Sequence, residues 1–221
     1  MKCYAKGYCK GWKTERCNDL CPLYVKLNAI YSQSNIPKRY RYDIPLTPQQ
    51  FDREAFIKLK EWQTNILEHV EDGDFLLIYS PTTGNGKTSW ATKILNYYIR
   101  KTVVKSKVDY DVVYANVSSF LEDIKNSFDN KDVAFEVFKE SVRSCNLLVL
   151  DDLGAERPTE WVRERLYELI NYRYNEGKAT IFTSNFTPDQ IEERLGSRIG
   201  SRVKFADQVE IKGVDRRIQN D

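Results

Sequence analysis

The residues with the plainest chemical purpose lie at 80–89, SPTTGNGKTS. Gly84, Asn85, Gly86, Lys87, Thr88 and Ser89 carry the second half of the pattern GxxxxGK[ST]. In that pattern glycines let backbone N–H groups curl around phosphate at a helix N-terminus, the lysine reaches the β- and γ-phosphates, and the hydroxyl holds Mg²⁺. Pro81 stands where the first glycine belongs; its ring fixes φ and removes one N–H, but the amides of 84–88 remain. A second element, LLVLDD at 147–152, brings Asp151 and Asp152 to the end of an apolar run. Asp151 suits Mg²⁺, directly or through water, and Asp152 suits a water to be oriented or deprotonated. Alone, such a pair also fits a turn. The third element is TSN at 183–185, where the Asn185 amide can orient a water near a γ-phosphate, or simply cap a helix. A fourth is the basic run Arg194, Arg198, Arg202, Lys204, Arg216 and Arg217, which in isolation reads as a solvated face.

Cys3, Cys9, Cys17 and Cys21 cluster in the first 21 residues, and Cys145 stands apart beside an apolar run. The opening MKCYAKGYCKGWK has no apolar signal segment, which predicts a reducing cytoplasm. There, four neighbouring thiols point to a metal before disulfides. A Cys₄ zinc site closing a module too small for its own core is the expectation; an iron–sulfur cluster and free thiols are the alternatives. His69, the only histidine, is expected at a helix end without catalytic work, and Cys145 as a small buried hydrophobe.

These groups need a frame to hold them. FLLIYS (75–80), DVVYANV (111–117), LLVLDD and ATIFTS (179–184) read as strands, with amphipathic helices between them. One long helix carries Phe51, Ala55, Leu59, Trp62, Ile66 and Val70 and ends at Gly73, with Thr47, Pro48 and Gln50 as its start signal. Others are expected after the glycine turn, at 118–128, at 132–144 and up to Gly177. Strands alternating with helices imply a mostly parallel sheet covered on both faces, with ligands at the carboxyl ends of its strands. Residues 22–47, interrupted by prolines, read as a connector. The domains expected are thus a module and linker over 1–45 and a nucleotide-binding domain over 46–221.

At 221 residues the chain can bury one good core with a small appendage. With 34 Lys+Arg against 32 Asp+Glu, bulk attraction to nucleic acid is excluded and any such contact must be a local patch. A 41 % hydrophobic and 30 % charged composition excludes disorder, and the apolar runs are too short for a bilayer span. No membrane partner is expected.

The glycine turn, LLVLDDLG, TSN, RIGSRV and the terminal GVDRR, in this order and spacing, resemble the AAA+ ATPases of the DnaC/DnaI replicative helicase loader group, related to the transposition helper IstB. NIPKRY at 35–40 is similar to the segment that precedes their ATPase core. The resemblance implies ATP and Mg²⁺, with Lys87 and Thr88 as Walker A, and Asp151 and Asp152 as Walker B. It further implies Asn185 as sensor 1, Arg202 as arginine finger, with Arg198 one turn away as the alternative, and Arg217 as sensor 2. The implied fold is α/β, an AAA+ P-loop domain with a parallel sheet, here joined to the small zinc module. The implied function is ATP-dependent loading of a hexameric replicative helicase onto single-stranded DNA, by a protein that assembles with its own copies as a ring or spiral. The helical pair 118–144 falls at the family's DNA-channel insertion, making Lys125, Lys131 and Arg143 candidate phosphate contacts and Phe120 or Phe128 candidate stacking platforms. The N-terminal module is the candidate helicase grip. An IstB-like helper of a transposase and a nucleotide-gated DNA-binding adaptor with little hydrolysis are the rival readings; a P-loop nucleotide kinase fits RIGSRV and GVDRR less well. Abundant Lys, Asn, Tyr and Ile suit a phage or low-GC bacterial source.

Overall fold

A computed structural model describes residues 3–6, 9–11, 14, 17–41, 46–48, 52–103, 111–127, 133–213 and 215. The four expected strands form as Phe75–Tyr79 (β1), Val112–Asn116 (β2), Leu147–Asp151 (β3) and Ala179–Ser184 (β4). A fifth, Asp207–Glu210 (β5), joins them, and the order across the sheet is β2-β3-β4-β1-β5 with every pairing parallel. Parallel neighbours need crossovers, which here are helical. Tyr79 pairs with Ser184 and Asn116 with Asp151, so the carboxyl ends that carry the chemical residues line up along one rim.

Strand residues alternate between two cores, as a period of two demands. Leu76, Ile78, Val112, Tyr114, Leu147, Val149 and Ile181 face one side. They meet helices Pro22–Gln33 (α1), Arg53–Thr64 (α2), Ile66–Asp72 (α3) and Lys87–Thr102 (α4). Phe75, Leu77, Val113, Ala115, Leu148, Leu150 and Phe182 face the other. There they meet Val117–Ser127 (α5), Val133–Ser144 (α6), Glu160–Asn175 (α7), Pro188–Leu195 (α8) and Ser197–Phe205 (α9). With both faces covered the central strands can be apolar throughout, which is why they read as continuous runs rather than alternating ones.

The structure departs from the sequence expectations in four ways. The long helix before β1 is broken at Asn65, which ends α2 and starts α3; Gly73, at φ 75°, closes α3 as expected. Gln50 and Phe51 of its expected start lie outside the described residues. The supposed connector contains α1, begun by Pro22 at its first position, whose Leu27 and Tyr31 are buried. Leu27, Tyr31 and Ile36 share one apolar cluster with Leu59 and Ile94, so the core crosses the boundary expected near residue 45. Strand β5 was too short and polar to be read, with only Val209 of its four residues buried.

The fourth departure concerns the thiols. Among the described residues no group of three or more His, Cys, Asp or Glu stands close enough to hold a metal ion. A Cys₄ zinc centre needs four sulfurs at about 2.3 Å from one ion, and Cys3, Cys9, Cys17 and Cys21 do not fit that arrangement. Short turns close around successive cysteines, Cys9 N–H to the Ala5 carbonyl, Cys17 N–H to Thr14 and Cys21 N–H to Asn18. Cys3 is drawn into the apolar core while the other three are half-buried. The expected zinc site is therefore not supported, nor is the iron–sulfur alternative.

Candidate active site

The turn between β1 and α4 depends on two glycines in the left-handed region, Gly84 at φ 73° and Gly86 at φ 102°. A side chain at Gly84 would also collide with the carboxylate of Asp215, from the terminal GVDRR, which therefore lies against this turn. Asn85 is buried and acts as a strut. Its Nδ2 donates to Ser80 Oγ and to the Ile211 carbonyl at 3.1 Å, tying the turn to the chain that leaves β5. The Lys87 ammonium lies inside the turn, donating to the carbonyls of Ser80 at 3.3 Å and Thr82 at 2.9 Å and to Asn85 Oδ1 at 3.3 Å. A buried ammonium must be bonded, and these neutral acceptors tie it to the turn. Ser89 sits half-buried on the first turn of α4, its carbonyl accepting from Thr92.

Asp151 ends β3 and is 4 % exposed. Its Oδ1 accepts from Thr88 Oγ1 at 2.8 Å and from Thr183 Oγ1 at 2.7 Å, and its Oδ2 from the Tyr114 hydroxyl at 2.6 Å. Three neutral donors around one carboxylate suit a divalent cation, because hydroxyls can rotate or become ligands as the charge is neutralised. Thr88 and Asp151 are thus the residues that would hold Mg²⁺. Burial first, and then the charge of Asp151, push the Tyr114 phenol far above its ordinary range, so it remains a donor.

Asp152 follows with φ 62°, a left-handed conformation that costs a non-glycine residue energy and concentrates at functional sites. Its N–H donates to Thr183 Oγ1 at 3.0 Å, and Asn185 Nδ2 approaches its Oδ1 at 3.5 Å. Leu153 N–H to the Thr183 carbonyl and Ser184 Oγ to the Leu153 carbonyl staple the loop after β3 to the end of β4. The arrangement can cradle a triphosphate, anchor a divalent ion and hold a carboxylate and an amide beside it. Thr183 and Tyr114 were missed from sequence. Thr183 was visible inside TSN, whereas Tyr114 gave no signal beyond a polar tip on an apolar strand.

Other expected residues stand elsewhere. Arg202, in α9, stacks 4.3 Å over Tyr174 and donates to Asn171 Oδ1 at 3.2 Å, both on its own chain's α7. Arg198 is exposed, 5.4 Å over Tyr167. Arg216, Arg217, Phe128 and Lys131 lie outside the described residues. Phe120 is buried edge-on against Phe138 and serves the core rather than an open stacking surface. Lys125 lies 5.0 Å over Trp161 and Arg143 3.9 Å over Tyr172. Arg143 borders a cavity of about 760 Å³ between α5, α6 and α7 that Glu136, Glu140, Glu168 and Glu176 also line. Lys139 and Arg165 line it too, and Lys139, Arg143 and Arg165 pair with Glu136, Glu140 and Glu168. His69 stacks on Trp62 at 4.2 Å and bonds Asp74 at 2.7 Å, a helix-end role. Cys145 is buried, as expected, and beside Arg173, whose Nη1 lies 3.5 Å from its sulfur.

The parallel sheet, the glycine turn leading into α4 and the acid pair at the rim define an AAA+ P-loop domain. Residues 62–209 match the bacterial DnaA ATPase domain, and the chain belongs to that family. It is 29 % identical over 184 residues to the replicative helicase loader DnaI of Bacillus subtilis (strain 168), covering 79 % of this chain and 56 % of that protein. A crystal structure of the DnaC helicase loader superposes with a TM-score of 0.66 and 25 % identity, over 80 % of this chain and 100 % of the other. A replication initiator DnaA bound to AMPPCP and single-stranded DNA shares the fold, with a TM-score of 0.61 at 20 % identity over 81 % of this chain and 51 % of the other. The similarity to DnaC/DnaI-like loaders inferred from the motifs therefore stands. The chain spans about half or less of the length of the first curated relatives it matches. Among the described residues no helix is long and apolar enough to cross a membrane.

Proposed function

We propose that this protein is an ATP-dependent helicase loader. It binds a hexameric replicative helicase and delivers it to single-stranded DNA, with nucleotide binding favouring assembly of its own copies and hydrolysis favouring release. The observation that carries this reading is the bond from Thr88 to Asp151 at the mouth of the glycine turn, where a buried carboxylate meets only neutral donors among the described residues. Similarity to DnaI and DnaC supports the helicase partner.

In this reading the amides of Gly84 to Thr88 bind the triphosphate, and Lys87 leaves its loop carbonyls for the β- and γ-phosphates. Thr88 and Asp151 would hold Mg²⁺, which would supply neutralising charge to the phosphates. Asp152 orients or deprotonates the attacking water with Asn185 beside it, and Arg217 contacts the nucleotide as sensor 2. Asp152 has a shorter reach than glutamate, which suits slow turnover for a switch.

Arg202 serves as the finger toward a neighbour's γ-phosphate only after releasing Asn171 and Tyr174, whereas Arg198 is already exposed. The engagement of Arg202 by its own chain favours, as a second reading, a nucleotide-gated adaptor with little hydrolysis. Neither reading uses zinc, and residues 1–45 are the proposed helicase grip.

Turnover measured with single-stranded DNA, together with helicase capture with and without ATP, tests the proposal. Lys87→Ala is expected to lose nucleotide binding and helicase capture together. Arg202→Ala is expected to bind ATP but hydrolyse it at least tenfold more slowly. Normal hydrolysis by Arg202→Ala moves the finger to Arg198, and no turnover by the wild type with DNA present favours the adaptor.

A further inference from the structure

Tyr114 occupies the middle of β2, the edge strand of the sheet, and is 6 % exposed. Apolar packing alone would be served by phenylalanine, and a buried hydroxyl costs stability unless it is bonded. Its bond goes to Asp151 Oδ2 at 2.6 Å. The two carboxylate oxygens are thereby divided: Oδ1 faces Thr88 and Thr183 at the nucleotide turn, and Oδ2 faces Tyr114.

The backbone of the same residue makes a second set of contacts. Tyr114 N–H donates to the Ser34 carbonyl at 2.8 Å, and its carbonyl accepts from Asn35 Nδ2 at 3.3 Å. Asn35 adopts φ 54° to do this, a left-handed conformation that asparagine tolerates better than most residues. The segment is also clamped to α4, the helix that follows the glycine turn. Tyr31 donates to Asn96 Oδ1 at 2.9 Å, and Asn96 donates to the Tyr40 carbonyl at 2.6 Å. Residues 31–40 therefore bridge β2 and α4 outside the nucleotide site.

We propose that Tyr114 is a positioning residue for the Mg²⁺-anchoring carboxylate Asp151, and that it couples the state of that carboxylate to the N-terminal segment 34–40. The proposal rests on the nucleotide reading given above. By holding Oδ2, Tyr114 directs Oδ1 at Thr88 and the metal; a change in the carboxylate's position on metal binding is felt through β2 by Ser34 and Asn35. Partners of this kind, bonded to a metal ligand but not to the metal, typically change metal affinity or activity by about 10- to 100-fold when removed.

The test compares wild type and Tyr114→Phe in ATP binding with EDTA, in ATP binding across a Mg²⁺ titration, and in amide exchange of residues 34–40 and 114. Tyr114→Phe is expected to bind Mg²⁺-free ATP like the wild type and to need about tenfold more Mg²⁺ for half-saturation. Adding Mg²⁺ to the ATP-bound wild type is expected to change exchange at 34–40 and 114, a readout that needs no variant to fold, and the variant is expected to lose that response. An unchanged Mg²⁺ midpoint, an equal loss of binding with and without Mg²⁺, or no exchange response in the wild type overturns the proposal while leaving the nucleotide reading intact. A wild type that binds no ATP under any condition overturns the nucleotide reading and this inference with it.

Discussion

Two buried charges sit at opposite ends of the central strands and are treated in opposite ways. At the amino ends of β3 and β4, Arg173 is fully buried with, among the described residues, no carboxylate partner. Its guanidinium instead donates to the carbonyls of Val142, Arg143, Cys145 and Ala179 and to Thr180 Oγ1. Burial pulls its affinity for a proton below the usual arginine value, but the carbonyls, several at the C-terminal end of α6 where the helix dipole is negative, meet the charge in full. At the carboxyl end Asp151 has three hydroxyl donors and, among the described residues, no cation. The first cluster is closed and joins α6, α7 and β4; the second can accept a cation. Burial of charge alone does not mark a site; what distinguishes the two is whether the partners already complete the coordination.

The largest expected separation between these clusters comes from Asp151→Asn. An amide oxygen still accepts from rotatable hydroxyls, so the melting temperature should move little. Mg²⁺-dependent hydrolysis should fall at least about 100-fold, as when a transition-state charge stabiliser is removed. A large stability loss with activity retained would make Asp151 the structural charge and dissolve the contrast.

Arg173→Met should do the reverse. Stripping donors from four carbonyls, three of them buried, is expected to cost about 3 kcal/mol or more in urea unfolding, since each orphaned buried group costs about 1–3 kcal/mol. ATP affinity of the folded fraction should be unchanged, and a selective loss of nucleotide binding would join the two clusters into one.

The smallest effect is expected from Glu156, buried on the loop after Asp152 with its carboxylate accepting from Gly154 N–H. Burial raises its affinity for a proton above the ordinary value of 4.5. The folded state then holds a proton that the unfolded chain has released, so its contribution is full below about pH 4.5 and is lost as pH rises through the folded value. Glu156→Gln should therefore gain melting temperature relative to wild type between about pH 4 and pH 7. A constant difference across that range would show that folding leaves the carboxyl's proton affinity unchanged.

The legible parts of the molecule were those where chemistry compels short spacing. Lys87 and Thr88 must follow the glycine turn directly, and Asp151 must end an apolar strand, so local pattern sufficed. Tyr114 and Arg173 act through distant register, Tyr114 across the β2–β3 pairing and Arg173 across α6 and β4. Nothing local announces them. Helix α1 was hidden because prolines and basic residues outweighed its Leu23, Leu27, Ile30 and Tyr31 stripe, and β5 because four residues are too few to reveal a period. The cysteine spacing permits a metal site without compelling one, and Cys3 went to the core instead.

The central claim, that the turn around Gly84 to Thr88 and the carboxylate of Asp151 together grip Mg·ATP, is tested most directly by calorimetric titration of the whole protein. Stoichiometric uptake that depends on Mg²⁺ and disappears in Lys87→Ala is the predicted result. Absence of any heat of binding from folded protein at millimolar Mg·ATP would contradict it.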